Sequence, residues 1–143
     1  MRIVLDSNVL LVSISDRSPY HWIYLKLIER QYDLCVTTEI VFEYAEVIEE
    51  HMGIEVSESV VGVLENLSNV HIITSWYKFD LIKKDRDDNK FVDCAVASNA
   101  QFIVTEDKDF RVLKKIDFPK IEVLGIKEFE KKLNQEGSRY PPH

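Results

Sequence analysis

Arg2-Ile3-Val4-Leu5-Asp6-Ser7-Asn8 begins near the first residue and holds two kinds of chemistry in seven positions. Ile3, Val4 and Leu5 form a short apolar run, the signature of a strand buried on both faces, and Asp6, Ser7 and Asn8 favour turns and helix caps. A strand is therefore expected to end abruptly at a polar rim. The same grammar returns in Phe102-Ile103-Val104-Thr105 followed by Glu106-Asp107-Lys108-Asp109. Further short apolar runs stand at Leu34-Cys35-Val36, Val70 to Ile73 (a buried strand candidate) and Ile121 to Leu124.

Between these runs the apolar period changes to that of a helix. Trp22, Ile23, Leu25, Leu27 and Ile28 mark one amphipathic stretch within Tyr20 to Arg30; Ile40, Val41, Tyr44, Val47 and Ile48 mark another, with Thr37 or Thr38 as its cap and Met52-Gly53 as its end. Ser57 to Leu67, a segment opened by Asp87 or Asp88 and running to Asn99, a turn from Phe110 to Lys115 and a short helix from Lys127 to Leu133 complete the set. Thr74 to Asp87 shows no period and reads as irregular. The connections are too long for hairpins, so the expected fold is α/β: a single-domain doubly wound parallel sheet of four or five strands with helices on both faces. The domain is expected to span residues 1–134, and 135–143, with Gly137, Pro141 and Pro142, to form a flexible C-terminal tail.

With 143 residues, 45% hydrophobic and 30% charged, the chain has the composition of one globular domain and not of a disordered or repetitive one. No apolar run approaches the roughly 18 to 20 residues of a membrane span, and no signal peptide precedes Arg2, so a soluble cytoplasmic protein is expected. Cys35 and Cys94 lie in apolar segments without metal-binding spacing and read as small core residues. The formal charge of −7 rules out nucleic-acid binding by bulk attraction. Only local groups could receive phosphate: Lys83, Lys84, Arg86 and Lys90 in one cluster, Lys108, Arg111, Lys114 and Lys115 in another.

In parallel α/β sheets the ligand site lies beyond the carboxyl ends of the strands, where strand order reverses. Asp6 and Asp107 each follow a strand, and parallel neighbours would bring them together. Asp88 adds a third carboxylate, because Phe91, Val92, Ala95 and Asn99 fall within about 60° of it on a helical wheel. Asp93 points roughly 140° away from it and is expected at the surface; Asp87 serves as a cap. Glu39, Glu43, Glu46 and Glu50 form a stripe opposite the apolar one, and spacing selects none of the four.

These residues resemble the PIN-domain nucleases, in particular the small prokaryotic proteins of the toxin type from toxin-antitoxin pairs. The resemblance is carried by Ile3-Val4-Leu5-Asp6-Ser7-Asn8, by Thr38 with Glu43, by Asp87-Asp88-Asn89-Lys90-Phe91, and by Val104-Thr105-Glu106-Asp107-Lys108-Asp109-Phe110, four motifs in order. It implies an acidic catalytic pocket of Asp6, Glu43, Asp88 and Asp107, with metal held by Asp6, Asp88 and Asp107 and with Glu43 and Asp109 as further candidate ligands. Ser7, Asn8 and Thr105 would support the pocket. Asp93, at a position that also looks acidic in the nearest subgroup, is kept as a candidate against the direction of the wheel.

Four carboxylates in one pocket repel, each pair at about 4 Å costing on the order of 4 kcal/mol at an effective dielectric of about 20. Oxygen-only ligands, with none of the four histidines near these motifs, favour Mg²⁺ or Mn²⁺ over zinc. The resemblance thus implies a Mg²⁺- or Mn²⁺-dependent endoribonuclease, with an RNA substrate, a small antitoxin partner and a homodimer. Arg86, Lys90, Lys108 and Arg111 flank the motifs and would receive RNA phosphates, and Trp76 or Tyr77 could stack on bases. Two alternatives stand beside this reading. One is a PIN-fold binding or regulatory protein acting through a partner. The other is a magnesium phosphatase of the haloacid dehalogenase type, whose Asp-x-Asp motif meets Asn8 at its third place.

Overall fold

The computed structural model describes residues 1–75, 78–82, 88–117 and 119–139, with side chains described as far as 136. Strand β1 (Arg2–Leu5) occupies the middle of a five-stranded, wholly parallel sheet of order β3-β2-β1-β4-β5. Its neighbours are β2 (Asp33–Val36) and β4 (Phe102–Val104), and the edges are β3 (Val70–Ile72) and β5 (Glu122–Leu124). The continuous apolar runs of β1, β2 and β4 are fully or nearly fully buried, as strands covered on both faces require. β3 departs from the expectation of a buried strand: as an edge it leaves Ile72 62% exposed.

The helices are α1 (Ser7–Ile14), α2 (His21–Ile28), α3 (Thr38–Met52), α4 (Ile54–Asn66), α5 (Asn89–Ser98) and α6 (Ile126–Arg139), with a 3₁₀ helix at Lys108–Lys115. α1 begins directly after Asp6 and packs against α2 and α3, so the polar rim is a helix start as well as a strand end. Thr37 caps α3 by accepting from the Ile40 N–H at 3.2 Å. Gly53, at φ +93°, lets the chain pass from α3 into α4 through a conformation costly to residues with a Cβ. Asn99 ends α5 in the left-handed conformation that Asn tolerates. α6 runs to Arg139, so the boundary expected at residue 134 falls inside a helix; Tyr140 to His143 lie outside the described residues. Its Glu136 carboxylate stands 3.8 Å from the amino terminus of Met1.

The core is one cluster that joins the strands to Leu10, Ile23, Leu27, Tyr44, Phe91, Phe110 and Phe129. Cys35 and Cys94 are buried free thiols within it, and burial raises the Cys94 thiol to about 12, which keeps it protonated and inert. None of the described helices is long and apolar enough to cross a membrane.

Candidate active site

Strand order reverses between β1 and β4: the chain leaves β1 for β2 on one side and returns to β4 on the other. Leu5 pairs with Val104, so the residues immediately beyond, Asp6 and Thr105, emerge side by side. The Asp6 N–H continues the ladder to the Val104 carbonyl at 3.1 Å. Thr105 then joins the two strand ends through its hydroxyl, which donates to Asp6 Oδ2 at 2.7 Å and accepts from the Asp107 N–H at 3.0 Å. Asp107 in turn caps the 3₁₀ helix, its Oδ1 accepting from the Asp109 N–H at 2.9 Å.

Asp6 is only 6% exposed. Burial raises its pKa above the ordinary value, against the stabilising hydrogen bonds from Thr105 and the Asn8 backbone, and the charges of Asp107 and Glu43 raise it further. Asp88, at the N-cap of α5, is 9% exposed and enters from that helix. One carboxylate oxygen from each of Asp88, Asp107 and Asp109 lies within 4.8 Å of the others. A trio of this kind fits a hard divalent cation, because the donor set is all oxygen and the mutual repulsion is relieved by positive charge.

Glu43, on α3, takes part differently. Its Oε2 accepts from the Ser7 hydroxyl and its Oε1 from the Lys90 ammonium at 2.6 Å. Lys90, expected among the phosphate-binding residues, is thus drawn into the acidic pocket with its side chain 12% exposed.

The remaining candidates separate by location. Asn8, Asp6 and Asp107 line a cleft of about 360 Å³ with Val9, Val12 and Tyr20. Asp109, Lys108 and Arg111 line a neighbouring cleft of about 530 Å³ that also carries Lys115. Arg86, Asp87, Trp76 and Tyr77, together with Lys83 and Lys84, lie outside the described residues.

Asp93 corrects the helical wheel. It is 8% exposed, accepts from the Phe79 N–H at 3.0 Å, and faces another cleft, lined by Thr37, Glu39 and Lys78 and also by Lys90. Burial raises its pKa, and the charges of Glu39 and Asp80 add to the rise, against hydrogen bonding from Phe79 and attraction to Lys78. The wheel treats α5 as a helix with one covered face. Residues 78–82 cover another.

Those residues are pinned by Asn89, whose Oδ1 accepts from the Ile82 N–H at 2.8 Å and whose Nδ2 donates to the Ile82 carbonyl at 2.6 Å. Sequence reasoning missed this clasp, as it missed Glu106, whose Oε1 accepts from the Ile126 N–H at 2.7 Å and caps α6. For Asn89 the signal available was a polar residue at a helix start; Glu106 acts on a helix 20 positions further on, which local sequence does not show.

A family model described as PIN domain matches residues 2–109, most of the chain, including Asp6, Glu43, Asp88, Asp107 and Asp109. Comparison with curated proteins finds no match. Among solved structures, the chain resembles the crystal structure of VapBC2 from Rickettsia felis bound to a DNA fragment from their promoter, at a TM-score of 0.60 and 17% identity, covering 87% of this chain and 98% of that one. At that identity the likeness speaks for the fold, and the fold agrees with the family match. The strand order, the convergent acids and the matched residues together show that the chain belongs to the PIN domain family.

Proposed function

We propose that this chain is a Mg²⁺- or Mn²⁺-dependent endoribonuclease that hydrolyses phosphodiester bonds of RNA. The observation that carries the reading is the meeting of Asp88, Asp107 and Asp109, with oxygens within 4.8 Å, beside the buried Asp6 at the strand-order reversal. Membership of the PIN family makes nuclease chemistry the natural use of such a group. It also sets aside the phosphatase alternative.

Asp88, Asp107 and Asp109, with Asp6 adjacent, would hold the ion. A divalent ion bound there supplies positive charge to the scissile phosphate and acidifies a water for attack. The chain's residues do the rest by position. Thr105 fixes the orientation of Asp6 and the backbone of Asp107, and Ser7 fixes Glu43. Lys108 and Arg111 line the cleft that opens at Asp109 and would receive flanking phosphates, as their placement there allows. No side-chain nucleophile is required.

The biological setting we favour is that of a cytoplasmic toxin, dimeric and held by a small antitoxin, because the solved structure it resembles is a VapBC2 assembly. The domain would then be single and end with α6. A non-catalytic alternative, in which a partner's arginine fills the acidic pocket, is favoured by one observation: Glu43 already accepts a side-chain cation from Lys90.

Labelled single-stranded RNA incubated with protein and Mn²⁺ separates the two. Cleavage by wild type and a loss of at least a hundredfold in Asp88→Asn supports the nuclease. Equal cleavage by both, or none by either, contradicts it.

A further inference from the structure

Asn89 and Lys90 open α5, directly after Asp88. The same helix start therefore delivers a carboxylate to the Asp107–Asp109 pair and an ammonium to Glu43. The ammonium approaches Glu43 Oε1 at 2.6 Å, with the Lys90 and Glu43 side chains only 12% and 23% exposed, so the pair is largely withdrawn from solvent. The other Glu43 oxygen is taken by Ser7. Both oxygens of Glu43 thus have partners supplied by the chain, while oxygens of Asp88, Asp107 and Asp109 gather within 4.8 Å of one another.

Two-metal phosphodiesterases place ions roughly 3.5–4 Å apart, so a second ion calls for carboxylate oxygens beyond those that hold the first. Here the acids divide into two sets. One set is the three converging aspartates, with Asp6 beside them, and the other is Glu43 alone, which receives a lysine ammonium, a compact point charge.

We propose that the Lys90 ammonium occupies the second cation position of this site, so that the chain binds one divalent ion and Glu43 is a lysine-held positioning residue and not a metal ligand. The assignment rests on the metal-dependent reading above and deepens it. Lys90 would lower the repulsion among Asp6, Glu43 and Asp107 whether or not an ion is bound. The pocket could then form before metal arrives.

The test counts ions. Free Mn²⁺ is measured by electron paramagnetic resonance as it is titrated into wild type, Lys90→Met and Lys90→Arg, each checked for folding by circular dichroism. The expected result is one ion per chain for wild type and Lys90→Arg, and two for Lys90→Met, where the vacated position and the released Glu43 create a second site. Two ions in wild type, or one in folded Lys90→Met, overturns the proposal.

Should Lys90→Met fail to fold, Glu43→Gln decides. It keeps a single ion if Glu43 is no ligand, and its failure to bind the ion that wild type binds overturns the assignment. No ion on any protein overturns the metal-dependent reading and this inference with it. One ion on wild type and two on Lys90→Met, without RNA cleavage, would support the lysine's role while defeating the nuclease.

Discussion

Thr105 shows how much a single hydroxyl organises. It stands almost fully buried where two strands end, donates a hydrogen bond to the Asp6 carboxylate and accepts one from the Asp107 N–H. Replacing it by valine keeps the shape and leaves both partners without their hydrogen bond, at a cost of about 1–3 kcal/mol. Thr105→Val should therefore melt several degrees lower and bind Mn²⁺ more weakly; unchanged values of both, from thermal scans with and without Mn²⁺, would show that the hydroxyl is idle. Asp93 makes a prediction of the opposite sign. Its pKa is raised in the fold, so it favours the folded state fully below the ordinary aspartate range, near 4, and that contribution disappears as pH rises through the folded value. Asp93→Asn should then stabilise the protein at pH 7 and flatten the loss of stability as pH rises above about 4. Denaturation midpoints across that range measure it, and a mutant curve parallel to wild type would refute the assignment. The residue scale is also where the sequence was most and least readable. The strand-end places of Asp6 and Asp107 and the inward direction of Asp88 follow from short patterns, whereas the meeting of Asp109, and not Asp6, with Asp88 and Asp107 within 4.8 Å does not. Glu43 is one of four glutamates on a stripe, and what sets it apart, Ser7 on one oxygen and Lys90 on the other, depends on residues 36 and 47 positions away.

Elements were legible where local pattern and tertiary demand agree. The end of α3 is such a place: Gly53 stops the helix at φ +93°, with open space where a Cβ would stand, so strain and not crowding would oppose substitution, although α4 follows at once from Ile54 and not from the expected Ser57. Gly53→Ala should cost on the order of 1 kcal/mol, visible in urea denaturation; a neutral effect would mean that the junction relaxes freely. The helix α1 was not legible. Ser7-Asn8-Val9-Leu10-Leu11-Val12 carries β-branched and cap-forming residues of modest helix propensity, and packing against α2 and α3 overrides that preference. Residues 78–82 are irregular, as expected; what local pattern did not show is their tie to α5, where Asn89 grips Ile82 by both backbone groups. Asn89→Ala should release residues 78–82, lowering stability by about 1–3 kcal/mol and speeding amide exchange at Ile82 and Phe79. Exchange unaltered at both amides would assign the order of that segment elsewhere.

At the scale of the whole molecule, the parallel order β3-β2-β1-β4-β5 puts the reversal at the one edge where Asp6, Asp107 and Asp109 follow β1 and β4 and α5 starts with Asp88. The net charge of −7 makes this edge an unpromising place for RNA without a counter-ion, and the basic cleft of Lys108, Arg111 and Lys115 beside Asp109 offers only local relief. Cation binding to the folded state should raise its stability by about 2.7 kcal/mol at a hundredfold excess over Kd, which for a domain of this size is a rise in Tm of roughly 5–10 °C. The Tm of wild type and of Asp107→Asn, with and without millimolar Mn²⁺, decides whether these acids meet on a cation. A rise confined to wild type is the predicted result; no rise in wild type, or an equal rise in both, would contradict the convergence of these acids on a metal.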